Sequence, residues 1–156
     1  GRDNAKNVDG RKRHIVVDSM GLLLAVLVTA ASVDDATAAK QLFPRLEGQP
    51  VGKVRRVFAD NKYHNYALYE WVEDNARWDL VIVRRPDGQK GWVKLPLRWT
   101  VERTFAWLGK YRRLTKDREK TVRSSEAFVK LAMIHLMLNR VEPKHADVEF
   151  HYRTAA

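Results

Sequence analysis

Two hydrophobic periods alternate along this chain. "HIVVD" and "LLLAVLVT" are dense runs of branched and aliphatic residues separated by "SMG", and this pattern predicts a β-hairpin between His14 and Thr29. The spacing then becomes helical. "SVDDATAAKQLFPRL" offers Ser32 or Asp34 as an N-cap and stops at "EGQP". "KVRRVFAD" predicts a third strand ending at Asp60, and "YHNYALYEWVEDN" a short helix. "WDLVIVRRP" predicts a fourth strand, ended by Pro86 and the turn "PDGQKG". Residues 97–119, "LRWTVERTFAWLGKYRRLTKDRE", read as one amphipathic helix. "SSEAFVKLAMIHLMLNRV" reads as a serine-capped helix, apolar on most faces and therefore buried.

This order implies an α/β fold with a mixed sheet covered by helices. "HIVVD" runs antiparallel to "LLLAVLVT", and a strand–helix–strand crossover should leave "KVRRVFAD" parallel to the latter. One domain over residues 1–142 is expected, with a C-terminal tail at 143–156. The opening "GRDNAKNVDGRKRH" is polar, basic and Gly-flanked, like a loop entered midway.

Composition sharpens this picture. A hydrophobic content of 45% with five tryptophans is that of a folded core and excludes a disordered basic tail. The absence of cysteine excludes disulfides and thiolate metal sites, and fits a reducing interior. The apolar run "GLLLAVLVTAA" is shorter than the ~20 residues a membrane helix needs, so no membrane partner is expected. Net charge is +10, which directs the chain toward a polyanion.

Two acidic residues are candidates for chemistry. Asp60 ends a strand at the carboxyl edge where open α/β sheets place their sites; it reads either as a turn cap or as a ligand. Glu102 reads either as an i,i+4 partner of Arg98 or as a ligand, and Val101, Phe105 and Leu108 place it beside a buried face. Oxygen ligands amid Lys and Arg suit a hard divalent cation and phosphate. Asp18 is expected to be a turn residue, because the ends of "HIVVD" and "KVRRVFAD" fall at opposite edges of the sheet. The five histidines have no ligand spacing, and His135 reads as a core histidine within an apolar helix.

Basic residues come in runs. "KYRRLTKDREKTVR" holds seven Lys or Arg against two acids, and "GRKRH" places three bases before the first strand. Each run alone reads as a solvated face, and together they favour a phosphate-tracking surface. Trp99, Trp107 and Tyr111 interleave with these charges and read as core residues more readily than as base-stacking platforms.

The segments "GRKRHIVVDSMGLLLAVLVTAASVDD", "VFADNKY", "RWTVERTFAWLGKYRRLTKDRE" and "SSEAFVKLAMIHLMLNR" resemble, in order, the C-terminal part of bacterial insertion-sequence transposases of the Asp-Asp-Glu (DDE) type, in the group named after insertion sequence five. The resemblance implies a ribonuclease-H-like catalytic domain that uses Mg²⁺ or Mn²⁺ to cleave DNA and transfer strands. It makes Asp60 the second catalytic carboxylate and Glu102 the third, with Arg98 four residues before the Glu. The basic residue sought seven positions after Glu102 falls on Gly109, one step before Lys110. The first carboxylate lies on a strand upstream of a "GRD…GRKRH"-like segment, so the fold is expected to be incomplete at its N-terminus. On that expectation the chain lacks its first, central strand and the first Asp, is inactive alone, and is marginally stable.

DNA contacts are expected from Lys12, Arg13, Lys62, Arg98, Arg103, Lys110, Arg112 and Arg113. The expected partners are element ends and target DNA, with a homo-oligomer or an upstream transposase half as protein partner, in the bacterial cytoplasm at the nucleoid. A non-catalytic DNA-binding remnant, or a regulator of a full-length transposase, is the alternative. A basic protein bound to structured RNA is a weaker third reading.

Overall fold

The computed structural model describes residues 1–3, 7–46, 54–84 and 98–142, with backbone only at 8 and 98. The predicted turn "PDGQKG" and the tail at 143–156 lie outside the described residues. The chain opens not on a loop but on a small antiparallel ladder, β1 (Arg2–Asp3) with β2 (Val8–Asp9). Asn7 supports the reversal with φ +52, a left-handed conformation that Asn tolerates better than most residues, and its side chain accepts from the Arg2 guanidinium.

The predicted hairpin forms from β3 (Arg11–Val17) and β4 (Leu23–Ala30). Asp18 closes it as a turn residue. Its Oδ1 accepts from the N–H groups of Met20 at 2.9 Å and Leu22 at 2.8 Å. Gly21 supplies the left-handed step with φ +83. A register shift between Val16 and Val17 then sets which side chains face which layer.

Helix α1 (Asp35–Leu42) is capped by Asp34, not Ser32: its carboxylate accepts from the N–H groups of Ala36 and Thr37. A 3-10 turn over Phe43–Leu46 follows. The third strand is β5 (Arg56–Ala59), the next helix is α2 (Tyr66–Asn75), and β6 (Asp79–Ile82) pairs parallel with β5. Strands therefore come as separate pairs: among the described residues β5 has a ladder with β6 and none with β4.

The predicted single helix over 97–119 breaks. Helix α3 (Arg98–Gly109) ends at its glycine, Tyr111 turns extended, and a short helix α4 (Arg112–Thr115) buries Leu114. The residues that follow α4 run without helix until Thr121 caps α5 (Val122–Val141) by accepting from the Ser124 N–H. Two cores result, one on each face of the hairpin. Ala25 and Leu27 pack with Ala38, Ala39, Leu42, Phe43 and Leu68, whereas Val26 packs with Leu108, Leu114, Val129 and Met133.

Only one side of α5 is buried, and this corrects the expectation of a helix buried on most faces. Val129, Ala132 and Met133 face β4, while Leu131, Ile134, Leu138 and Val141 are exposed. A buried carboxylate on α5 also closes the outer edge of β4. Glu126 Oε1 accepts from the Val28 N–H at 3.0 Å, and its Oε2 meets Arg45 Nη1 at 2.8 Å. That edge is thus capped by a charge pair, which blocks further strand addition.

Candidate active site

Asp60 stands where β5 ends, because the strand gives way to a 3-10 turn over Asn61–Tyr63 that it caps. Its Oδ1 accepts from the Lys62 N–H at 3.0 Å, and the side chain is half-buried. The capping and ligand readings of this residue are compatible, since a carboxylate keeps further lone pairs beyond the one bond. Tyr63 packs behind it against the α1 core. Burial pushes the Tyr63 phenol well above the ordinary range, and the nearby charges of Asp35, Asp60 and Asp34 push the same way. Tyr63 is therefore held neutral at this end of the sheet.

The same end holds the start of β3. Lys12 Nζ donates to the Val33 carbonyl at 3.0 Å and pairs with Asp35 at 3.4 Å. His14, buried beside them, has its Nε2 3.0 Å from the Thr29 hydroxyl and its Nδ1 4.0 Å from Asp35. Burial lowers the His14 pKa, Asp35 opposes that shift, and Lys12 adds to it. A histidine held neutral in the fold and protonated more readily when unfolded contributes stability above its unfolded pKa of 6.5, and this is lost as pH falls below it. Unfolding midpoints measured from pH 7.5 to 5 should fall with pH, and His14→Gln should flatten that slope. An unchanged slope would remove His14 as its source.

Glu102 is exposed on α3. Its helix is fastened at the β3–β4 turn: Arg103 Nη2 donates to the Met20 carbonyl at 3.0 Å, and the Thr104 hydroxyl donates to the Gly21 carbonyl at 2.8 Å. Asp60 and Glu102 are thus carried by elements fastened at opposite ends of the hairpin. Among the described residues, no group of three or more His, Asp or Glu side chains that could hold a metal ion comes together.

The predicted basic contacts divide by environment. Arg13 donates to the Leu114 carbonyl at 2.6 Å, and Arg11 to the carbonyls of Glu119 at 2.9 Å and Lys120 at 3.1 Å. With Lys12 on Val33 and Asp35, the run "GRKRH" is turned inward, and it ties β3 to α1 and to the segment before α5. Asp117 receives part of that charge. Burial would raise its pKa, but the Ser125 hydroxyl, the Glu119 N–H and the charges of Arg11 and Arg13 prevail and lower it. Arg113 pairs with Glu119 at 2.7 Å and lies 4.3 Å over the Phe128 ring. Lys62, Lys110 and Arg112 are exposed and make no ion pair among the described residues.

The structure also corrects three side chains read as core. His135 is exposed, with its Nδ1 2.8 Å from the Tyr111 hydroxyl. Trp99 is exposed beneath the Arg103 guanidinium, 4.1 Å from its ring centroid. Trp107 is half-buried, with the Arg103 guanidinium 4.8 Å and the Arg140 guanidinium 4.5 Å from its ring centroid. Arg140 escaped the sequence reading because its partner lies 33 residues upstream on another helix. No helix among the described residues is long and apolar enough to cross a membrane.

Comparison with known proteins agrees with the motifs. Residues 1–137 match the family model described as Transposase DDE domain. The chain is 35% identical over 131 residues to a candidate transposase for insertion sequence element IS402 of Burkholderia cepacia, covering 78% of this chain and 60% of that protein. It is 30% identical over 131 residues to a candidate transposase for insertion sequence element IS6501 of Brucella ovis, covering 81% of this chain and 97% of that protein. The chain thus spans less than two thirds of the first of these relatives and nearly all of the second. No solved structure matches it. On the family model and the two relatives together, the chain belongs to the transposase DDE domain family of insertion-sequence transposases.

Proposed function

We propose that this chain supplies part of the catalytic domain of an insertion-sequence transposase, in which Mg²⁺ or Mn²⁺ assists cleavage of DNA and transfer of the freed strand. The observation that carries the proposal is the family match across residues 1–137 with Asp60 at the carboxyl end of a parallel strand pair. Asp60 and Glu102 are the proposed metal-binding carboxylates; as oxygen donors among Lys and Arg they fit a hard cation beside a phosphodiester. When bound, the ions would activate the attacking oxygen and stabilise the leaving one. Asp60, held by its own turn, is proposed to fix the ion at the sheet. Glu102 would close the site from α3, which requires the first turn of that helix to reach the Asp60 end.

The proposed sheet is ribonuclease-H-like. β3 has its ladder with β4 and β5 its ladder with β6, so each keeps one edge without a strand among the described residues. A strand between those edges would join the two pairs and bring the first carboxylate beside Asp60. The proposed DNA path uses Lys62, Arg98, Arg103, Lys110, Arg112 and Arg113, with phosphate contacts that position the duplex without reading it. Lys12 and Arg13 contribute through the fold they hold. Element ends and target DNA are the proposed partners, at the nucleoid, with a second copy or an upstream transposase half completing the assembly.

A second reading, a DNA-binding remnant or regulator without catalysis, draws on the opposite fastening of α3 and the 3-10 turn after Asp60. Fe²⁺ substituted for Mg²⁺ separates the two, because an iron-bound site treated with ascorbate and peroxide cuts the backbone next to its ligands. In the assembled enzyme on DNA, cuts are expected near both residue 60 and residue 102, suppressed by excess Mg²⁺. Cuts at one of them alone, or at neither, would withdraw the shared site and leave the regulator.

A further inference from the structure

We infer that Arg84 and Tyr69, set by His64 between them, hold two neighbouring phosphates of one DNA strand beside the turn that carries Asp60. The inference rests on DNA being the substrate, as proposed above, and adds residues that lie outside the DNA path given there. The β5–β6 ladder ends where the Val83 N–H donates to the Ala59 carbonyl at 2.8 Å. Asp60 leaves one strand and Arg84 follows on the other, both just beyond that bond.

His64 joins the two. It caps the C-terminal end of the 3-10 turn that Asp60 opens, and its Nε2 accepts from Arg84 Nη2 at 2.8 Å. Its Nδ1 lies 2.7 Å from the hydroxyl of Tyr69 on the first turn of α2. Tyr66 packs beside both, its ring 5.9 Å from His64 and 6.4 Å from Tyr69. The proton positions follow from the donors available. Arginine only donates, so Nε2 accepts and the ring proton sits on Nδ1. Nδ1 then donates to the Tyr69 oxygen, which leaves the Tyr69 O–H to donate to a further acceptor.

This arrangement aims a cation without cancelling it. A carboxylate partner, as Glu119 is to Arg113 and Glu126 to Arg45, would neutralise the guanidinium. A neutral imidazole orients it and leaves its charge and remaining donors to the solvent side, where Arg84 and His64 are exposed. Phosphate oxygens are acceptors that a planar cationic donor and a hydroxyl both serve. The whole imidazole ring lies between Arg84 and Tyr69, so each takes its own phosphate and the strand is led past Asp60. Such contacts position the backbone and are indifferent to base sequence.

The test uses the full chain in EDTA, which removes any role for metal, and follows binding of one labelled duplex by anisotropy between about 50 and 200 mM salt. Arg84→Gln should lower the slope of log affinity against log salt by about 0.9, the increment of one phosphate contact. Arg56→Gln removes the same charge from the amino end of the same strand pair, where Arg56 meets Asp79, and should leave the slope unchanged. His64→Leu should lose the Arg84 increment, and His64→Gln, whose amide oxygen can accept from Arg84, should keep it. Tyr69→Phe should bind about threefold more weakly with the slope unchanged, because a neutral hydroxyl displaces no counterion. Melting midpoints equal to the parent's check that each variant folds. An unchanged slope in Arg84→Gln, an equal fall in Arg56→Gln, a parental slope in His64→Leu or parental affinity in Tyr69→Phe overturns the proposal. Failure of the parent to bind duplex overturns the DNA reading itself. Absence of metal-dependent cleavage with this slope pattern intact strikes the catalytic reading alone.

Discussion

Glu102→Gln, in an enzyme assembled with all of its catalytic carboxylates, is expected to abolish metal-dependent strand cleavage. The loss should be about 10²–10³-fold or more, the scale on which removing one transition-state-stabilising group acts. The substitution keeps the size and polarity of the side chain and removes only its charge. An amide carries no negative charge to hold a hard cation, so the loss is expected in metal-dependent cleavage. Glu102 is exposed on α3, outside both buried cores. Duplex binding should persist, because losing one negative charge raises the attraction for phosphate. Gel-resolved cleavage of an element end in Mg²⁺, beside a binding measurement on the same duplex, gives both readouts. Cleavage at the wild-type rate would take Glu102 out of the chemistry.

Gly21→Ala is expected to cost about 2–4 kcal/mol of folding stability, combining left-handed strain with overpacking. A Cβ at Gly21 would lie 2.8 Å from Thr104 Oγ1 and 2.9 Å from a Trp107 ring carbon, on a backbone with φ +83. The turn cannot retreat, because Asp18 holds it from one side and the Thr104 hydroxyl from the other. Either α3 moves outward or the turn unwinds, and the first of these also displaces the helix that carries Glu102. Gly10→Ala is the matched control: it meets no atom within 4 Å and should change little. Denaturant unfolding of the three proteins measures the difference. Thr104→Ala placed in the Gly21→Ala background should recover part of the loss, since contacting residues do not add independently. Equal stability of Gly21→Ala and the parent would show that the α3 docking is soft.

Much of the local structure was legible because each segment states its own period and its own cap. "LLLAVLVT" reads as a strand next to a short glycine turn, and Asp34, two residues before Ala36, is one of two available caps. The turn at Asp18 followed from a short polar break between two apolar runs. The family motifs were legible too, and the match over residues 1–137 agrees with them. The long helix over 97–119 was misread because its charge and apolar pattern stays amphipathic through Gly109. The break at Tyr111 depends on burying Leu114 against α5, a contact no local pattern contains.

From the sequence follow most of the elements, a net charge of +10 that favours a polyanion, and two carboxylates worth testing. Only the tertiary structure decided which charges face inward. Arg11 and Arg13 look identical to Arg112 in a run of letters, yet the first two are consumed by the carbonyls of Glu119, Lys120 and Leu114. It also decided that two guanidiniums, one of them from α5, lie over Trp107, and that the exposed His135 meets Tyr111. The physical reason is range. Period and capping act over one or two turns of chain, whereas a side chain's partner is set by segments that meet only after folding.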